Sequence, residues 1–480
     1  MSWSQELQLI LPEIIVISAA CAMLMMQAFL PEPRKGWIHV TALGVLAFVA
    51  VLTMRPYIVG SPEWPETILK GAFVRDRVGD LMKVFVELVA FFALVYGKRY
   101  FRIREEKAED FYTLVILSVF GMMVMISAGN LLSLYLGLET LALASYAAVA
   151  MFRKIGLSVE AAVKYFVMGA VASGMLLYGM SLLYGATGSL ELAQIRTAVA
   201  SMPTNDPLLM LAMVFLIVGL AFKMGAVPFH MWMPDVYQGA PAAVMAFIAS
   251  APKIAGFAIV YRLLVDGLEP IAAQWQGIVV LLALLSMALG NIVAIAQHNL
   301  KRMLAYSTIS HVGFLFLGLL SGVVGYTAAL FYALTYALMS VGAFGILMVL
   351  GSRGQEAEEL DDLKGLNQRA PWLALMMAFL MASMAGVPPF VGFFSKLYVL
   401  QAAVESGHVW LTVAAVLFAV IGAYYYLRVI KVMYFDSTDR EAGVALPLDT
   451  HAALSVNGLA QLALGVFAGP LMALCVWALA

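Results

Sequence analysis

The chain has 480 residues, of which 63% are hydrophobic and only 12% charged, and its formal net charge is −1. Soluble domains carry about 25% charged residues, so a water-exposed fold of this length would leave a large apolar surface uncovered, and a bilayer is the solvent that removes the difficulty. The net charge says nothing about nucleic acid, but no basic run is long enough to suggest it, so no nucleic-acid partner is expected.

Two cysteines, Cys21 and Cys475, are too few and too far apart to hold an iron–sulfur cluster. No glycine-rich nucleotide motif precedes a helix, and no His/Cys/Asp/Glu pattern has metal-ligand spacing. No cofactor is therefore expected in this chain, and any redox chemistry belongs elsewhere. The opening Met1–Glu6 carries no positive charge, which makes it a poor signal-peptide start and the first apolar run a retained helix.

A helix needs about twenty apolar residues to cross the hydrocarbon core. That ruler predicts an all-α polytopic membrane protein with fourteen spans: 7–30, 37–54, 78–97, 111–129, 130–151, 159–184, 207–222, 241–264, 271–297, 300–320, 324–350, 372–404, 409–434 and 452–478. With the N-terminus outside the cytoplasm, the cytoplasmic loops collect seventeen basic residues against six on the other face. Cytoplasmic loops retain positive charge, so both termini are expected outside. Five lysines remain within apolar runs: Lys83, Lys164, Lys223, Lys253 and Lys396.

An internal similarity crosses the middle of the chain. Gly225-Ala-Val-Pro-Phe229 and Gly386-Val-Pro-Pro-Phe390 share G-x-x-P-F at an offset of 161, and the same offset joins Gly129-Asn130 to Gly290-Asn291. It carries spans 4–8 onto spans 9–13. Five is odd, so the second copy would cross the membrane in the opposite sense, as in transporters built from inverted repeats. The domains expected are 1–110, a first repeat at 111–264, a second at 271–434, and a C-terminal helix in 435–480. Pro228 and Pro388-Pro389 remove backbone donors and should break spans 7 and 12. Open backbone at membrane depth survives only inside protein or beside water.

Ionisable groups at that depth are costly, by about 2.5–3.5 kcal/mol on insertion scales. Glu139 is deep in its run and Lys164 is on the next helix, so the hairpin could pair them; a salt bridge that only joins helices would use the same residues. Lys223 ends the first half of span 7, where helix carbonyls favour a cation. Lys253 lies mid-way along span 8 beside Pro252, and Lys396 follows the second break. Buried lysines can shed a proton near neutral pH, as a relay requires. His311 is central in span 10, either as a relay member or as a hydrogen-bonded core histidine. Lys83 is close enough to an interface to snorkel, Glu13 and Glu87 lie near helix ends or face a partner, and His230 and Asp235 lie towards the cytoplasmic mouth.

At these residues the chain resembles a known family. Gly137-Leu-Glu139-Thr, Glu160-Ala-Ala-Val-Lys164-Tyr-Phe, the stretch from Phe222-Lys-Met-Gly-Ala-Val-Pro-Phe-His230 to Gln-Gly-Ala-Pro241, and Asn299-Leu-Lys-Arg through Ser-Thr-Ile-Ser-His311 are similar to the antiporter-like subunits of complex I. The resemblance covers nearly the whole chain. It implies fourteen helices in two inverted five-helix repeats with helices 7 and 12 broken. It implies proton transfer through an input pair, Glu139 and Lys164, then Lys223, Lys253, His311 on the central axis, and Lys396 at the output. It also implies a bacterial inner (plasma) membrane, other membrane subunits of complex I as partners, and NADH, flavin (FMN), iron–sulfur clusters and quinone in partner subunits. The chain stops after span 14 with no long lateral helix, unlike the largest member, and Lys396 replaces the glutamate of the M-type member. Two rivals are expected to differ by experiment: a multisubunit cation/proton antiporter without redox coupling, and a scaffold whose charges only hold helices together.

Overall fold

The computed structural model describes residues 3–59, 65–351, 356–438 and 446–480. The expected terminal segments 1–110 and 435–480 include 1–2, 60–64 and 439–445, which lie outside the described residues. In chain order, after a short helix at Trp3–Leu9, come α1 (Leu11–Phe29), α2 (Gly36–Val59), α3 (Arg77–Arg104), α4 (Glu109–Ile126), α5 (Leu131–Val149), α6 (Gly156–Thr187) and, past a short helix at Leu192–Ser201, α7 (Pro207–Met224). A short hairpin of β1 (Glu66–Ile68) and β2 (Phe73–Arg75) precedes α3, in antiparallel register with Thr67 opposite Val74. Then come α8 (Trp232–Gly239), α9 (Ala242–Ile248), α10 (Ala251–Val260), α11 (Ala272–Ile295), α12 (Leu300–Gly318) and α13 (Gly322–Leu350). The last are α14 (Pro371–Ala385), α15 (Val391–Glu405), α16 (Val409–Phe435), α17 (Leu448–Val466) and α18 (Ala468–Leu479).

Among the described residues ten helical stretches are long and apolar enough to cross a membrane, or eleven if the bent pair α17/α18 is one span. Helices also form at the three remaining expected spans, 78–97, 300–320 and 372–404. Charged and polar side chains along α3 and α12, and the interruption between α14 and α15, keep these out of the apolar set. The expected single helix at 452–478 is instead bent by 81° between Val466 and Ala468. Pro470 accounts for the bend: its ring would clash with the carbonyl of Val466 in a continuous helix, but it is tolerated in the first turn of α18.

The chain divides into two compact units. The first comprises residues 1–94, 109–224 and 251–278. In it α4 packs on α5 and on α1, α6 packs on α7, and α10 packs on both α4 and α7. The second comprises 95–108, 225–250 and 279–480. Its centre is α13, which touches α9, α12, α14, α15, α17 and α18. With 94% of its apolar window buried, α13 is core on every side.

A local motif occurs once in each unit. In the first, Asn130 caps α5 by accepting from Ser133 N at 2.8 Å and bridges to Glu191. In the second, Asn299 caps α12 by accepting from Arg302 N at 3.0 Å and bridges to Glu359. An asparagine cap satisfies one of the orphan donors of a helix start. Asn291, the sequence match to Asn130 at offset 161, lies inside α11 and donates back to Met287 O at 2.9 Å. The shared Gly-Asn dipeptide therefore does not mark equivalent positions; the cap equivalent to Asn130 is Asn299.

Candidate functional site

Both interruptions have the same backbone. Gly225 and Gly386 follow their half-helices with φ of 79° and 86°, the left-handed region that glycine enters freely. Four residues on, Phe229 N donates to Ala226 O and Phe390 N donates to Val387 O, closing the same turn. Each proline of the turn is in a cis peptide, Val227-Pro228 and Pro388-Pro389. The freed polar groups are met by hydroxyls: Val227 N donates to Ser286 Oγ at 2.9 Å, and Gly392 N to Ser383 Oγ at 3.1 Å.

The terminal carbonyls of each half-helix meet a lysine. In the first unit Lys253 Nζ donates to Met224 O, the last residue of α7, at 2.9 Å. In the second unit Lys396 Nζ donates to Met384 O at 3.0 Å and to Ala385 O at 2.9 Å, the last residues of α14. These carbonyls have no partner inside their own helix and carry the negative end of its dipole. Each ammonium is thus bound where a helix supplies partial negative charge at depth. Lys253 is 4% exposed and Lys396 is partly buried, its amine 5.4 Å from the Phe314 ring centre.

The other expected residues fall around these two points. Lys223 is in the last turn of α7, partly buried, and makes no hydrogen bond or ion pair among the described residues. Glu139 of α5 lies within electrostatic range of it. One carboxylate oxygen of Glu139 is buried with no hydrogen-bond partner among the described residues. Lys164 of α6 forms an ion pair at 2.8 Å with Glu160, one turn earlier, and its side chain is 41% exposed. His311 in α12 is 5% exposed, and both its ring nitrogens meet phenols: Nδ1 to Tyr332 at 2.6 Å and Nε2 to Tyr426 at 3.0 Å.

Sequence reasoning missed the hydroxyl network around His311. Tyr426 also bonds Ser307 Oγ, and Tyr336 donates to Thr308 Oγ1 at 2.7 Å. Tyr425 donates to Asn291 Oδ1 at 3.1 Å, and Thr335 shares a 2.8 Å bond with Ser395, the neighbour of Lys396. The signal was available: Tyr332 and Tyr336 are one turn apart in a largely apolar helix, and buried phenols need partners. A neutral imidazole donates at one nitrogen and accepts at the other, and a phenol can do either, so the two phenols hold the ring's orientation whichever nitrogen carries the proton.

Three readings need correction. Lys83 does not snorkel: its side chain is 1% exposed and pairs with Glu13 at 2.6 Å. Glu13 and Glu87, at 4% and 1% exposed, are sealed inside the chain and need no partner subunit to cover them. Lys301, one of the seventeen basic residues assigned above to the cytoplasmic loops, is 2% exposed and bonds Glu356 at 2.7 Å, Glu358 at 2.7 Å and Ala240 O at 2.9 Å. Glu356 in turn accepts from Tyr100 and from Ala242 N at the start of α9. Burial alone would raise the Glu356 carboxyl, but Lys301 and these hydrogen bonds outweigh it and hold the group down at about 2. Asp235 pairs with Arg302 at 2.8 Å, so α8 and the link from α8 to α9 are both tied to the start of α12.

This architecture, interrupted helices with amines at their carbonyl ends, is that of a transporter. The family model described as NADH:quinone oxidoreductase/Mrp antiporter, TM, matches residues 128–422, and the chain belongs to that family. It is 51% identical over 470 residues to the NADH-quinone oxidoreductase subunit N of Thiobacillus denitrificans, covering 98% of this chain and 96% of that one. A chain in the structure of respiratory complex I from Thermus thermophilus with bound aureothin superposes with a TM-score of 0.83 at 32% identity, covering 97% of this chain and 99% of that one. A chain of the Mrp complex from a Dietzia species shares the fold alone, with a TM-score of 0.85 at 21% identity and coverage of 98% and 96%.

Proposed function

We propose that the chain is the N-type, proton-translocating membrane subunit of a bacterial NADH:quinone oxidoreductase, a multi-pass protein of the inner membrane working beside other membrane subunits of complex I. The single observation that carries the reading is the lysine at the carbonyl end of each interrupted helix, Lys253 on Met224 and Lys396 on Met384 and Ala385. A charged amine is stabilised there by the helix dipole, and a neutral amine keeps an N–H to donate, so the site tolerates both protonation states. Each charge moved across the membrane works against about 2.3 kcal/mol per 100 mV, within the range that burial and charge pairing span.

The relay uses Glu139, Lys164, Lys223 and Lys253 in the first unit and His311 and Lys396 in the second. A signal from quinone reduction perturbs Glu139 and Lys164, Lys223 loses the stabilising carboxylate, and its proton moves on by way of Lys253 and His311 towards Lys396. NADH, FMN, iron–sulfur clusters and quinone are held by partner subunits. Fourteen spans complete the fold. Residues 111–264 and 271–434 are inverted repeats, supported by the matching turns at Gly225 and Gly386 and the matching caps at Asn130 and Asn299. Residues 1–110 precede them, 435–480 follow, and both termini face the periplasm.

The test is NADH-driven proton uptake in inverted membrane vesicles carrying Lys223→Gln in the assembled complex. Uptake is expected to fall about a hundredfold, the low end of what a positioned proton-transfer group contributes. Undiminished pumping with normal assembly would reduce these charges to a scaffold. The shared fold with an Mrp chain keeps one second reading, cation/proton exchange without redox coupling. Sodium-dependent exchange in vesicles lacking any NADH oxidase would favour it.

A further inference from the structure

The first unit holds a charged cluster that the relay does not use. Asp80, Lys83 and Glu87 recur on α3 at spacings of three and four, which puts them on one face of the helix. Glu13 of α1 reaches across to Lys83 at 2.6 Å. Asp80 is bonded by Arg75 of β2 at 3.1 Å and by the Tyr57 hydroxyl of α2 at 3.1 Å. Arg75, Asp80, Lys83, Glu13 and Glu87 are each 4% exposed or less.

Glu87 is different from the others in having no ion pair among the described residues. Both its carboxylate oxygens are buried with no hydrogen-bond partner among the described residues; those of Glu13 are too, but Glu13 has the Lys83 ammonium 2.6 Å away. The charged groups in reach of it are Lys83, Glu13 and Asp80. The one ammonium among them is already committed to Glu13, 2.6 Å away, and lies 3.9 Å from Asp80. Full ionisation would set three carboxylates, Asp80, Glu13 and Glu87, against two cations, Arg75 held by Asp80 and Lys83 held by Glu13, and leave one negative charge unmatched in a site closed to water. An unpaired carboxylate in such a place is far less stable than the neutral acid. A neutral acid needs no counter-charge and leaves Lys83 with Glu13.

We propose that this cluster is a proton-binding site, separate from the lysine chain, that holds one proton on Glu87. The Glu13–Lys83 pair sets its capacity: while Lys83 is charged and bonded to Glu13, Glu13 stays ionised and the site takes one proton. Removal of the Lys83 charge leaves Glu13 as exposed to the same penalty as Glu87, and the site takes a second proton.

The test is infrared spectroscopy of the purified, lipid-reconstituted complex at pH 7, comparing wild type with Glu87→Gln and with Lys83→Met. The expected result is that E87Q loses one protonated-carboxyl C=O stretch, one that shifts in D2O, with no change in the ionised-carboxylate bands. E87Q should also melt close to wild type, because the amide keeps both the shape and the neutral charge of the acid it replaces. K83M should gain a second protonated-carboxyl band. Loss of an ionised-carboxylate band in E87Q, or no change in the protonated-carboxyl region, overturns the proposal. Failure of E87Q to assemble overturns it too, because an isosteric neutral amide should replace a neutral acid. None of these readouts depends on proton pumping, so the outcome is independent of the relay.

Discussion

The two interrupted spans have one backbone and two ways of supplying a cation to it. At the first, the carbonyl end of α7 is met by Lys253, 29 residues further on from Met224 and in a separate helix, while Lys223 of α7 itself stays without a hydrogen-bond partner among the described residues. At the second, Lys396 returns from the second half of the same span, only 12 residues after Met384, and bonds two carbonyls. The first break therefore has two amines, one anchored and one unanchored, and the second has a single amine anchored twice. The demand comes from the helix end, which needs donors wherever a span stops inside the protein. Any lysine that can reach satisfies it, which is why residues at the same offset, Lys223 and Met384, need not match in chemistry.

Substitution by arginine sharpens that contrast most. A guanidinium can keep the carbonyl bonds but does not give up its proton. Lys396→Arg is expected to leave assembly and melting temperature near wild type while NADH-driven proton uptake falls about a hundredfold. Lys253→Arg should behave alike, and pumping that survived either change would mean that the caps serve structure alone. Methionine tests the caps themselves. Lys396→Met strands the Met384 and Ala385 carbonyls and Lys253→Met strands that of Met224, at about 1–3 kcal/mol for each unsatisfied group. The thermal unfolding temperature of the assembled complex should therefore fall in both variants.

The next effect down concerns His311, for which the first break has no counterpart among its described partners. Tyr332→Phe and Tyr426→Phe each remove one phenol from an imidazole nitrogen. Loss of one net hydrogen bond, about 1 kcal/mol, predicts a proton-uptake rate lowered roughly five- to tenfold, with the pH profile shifted because one ring nitrogen has lost the partner that takes or gives its proton. An unchanged profile would leave His311 a packed core residue.

Much of this was legible in the sequence because both signals are local. Twenty-residue apolar runs mark helices whatever they pack against, and G-x-x-P-F announces a break through glycine and proline alone. The positions of Lys223, Lys253, His311 and Lys396 followed from depth in such runs. What could not be read was which partner each group finds. Asn130 and Asn299 are helix caps whose likeness is hidden by an offset that differs from the one at the breaks, while Gly290-Asn291 offered a closer match of letters and a false equivalence. Lys83 and Lys301 near helix ends have the same appearance as snorkelling residues; only the arrival of Glu13 from α1, or of Glu356 and Glu358 from beyond α13, turns them into buried pairs. Pro470 was visible, but the apolar run continued through it, and hydropathy does not register direction.

The smallest effect on proton transfer should come from Glu356, and its pH dependence tests whether the segment after the first break is held by charge. Glu356 joins Lys301 of α12 to the first N–H of α9. Its folded pKa of about 2 is below the ordinary glutamate value, because Lys301 and the hydrogen bonds outweigh burial. A depressed acid stabilises the fold fully above its unfolded value of about 4.3 and loses that contribution as pH falls through the folded value. Glu358 shares Lys301 but is raised by burial and by the neighbouring Glu356, with Lys301 opposing, so it takes up a proton first and leaves the Lys301–Glu356 bond in place. Glu356→Gln should therefore cost about 1–3 kcal/mol at pH 7, as expected for hydrogen bonds to a charged group, with proton uptake per assembled complex nearly unchanged. The gap in melting temperature from wild type should hold from pH 7 to about 5 and close only in stronger acid, between about 4 and 2. Glu358→Gln should change little. A gap that closed already near pH 6 would mean that the Glu356 carboxylate is not held by Lys301, and that the segment rests on packing against α13 instead.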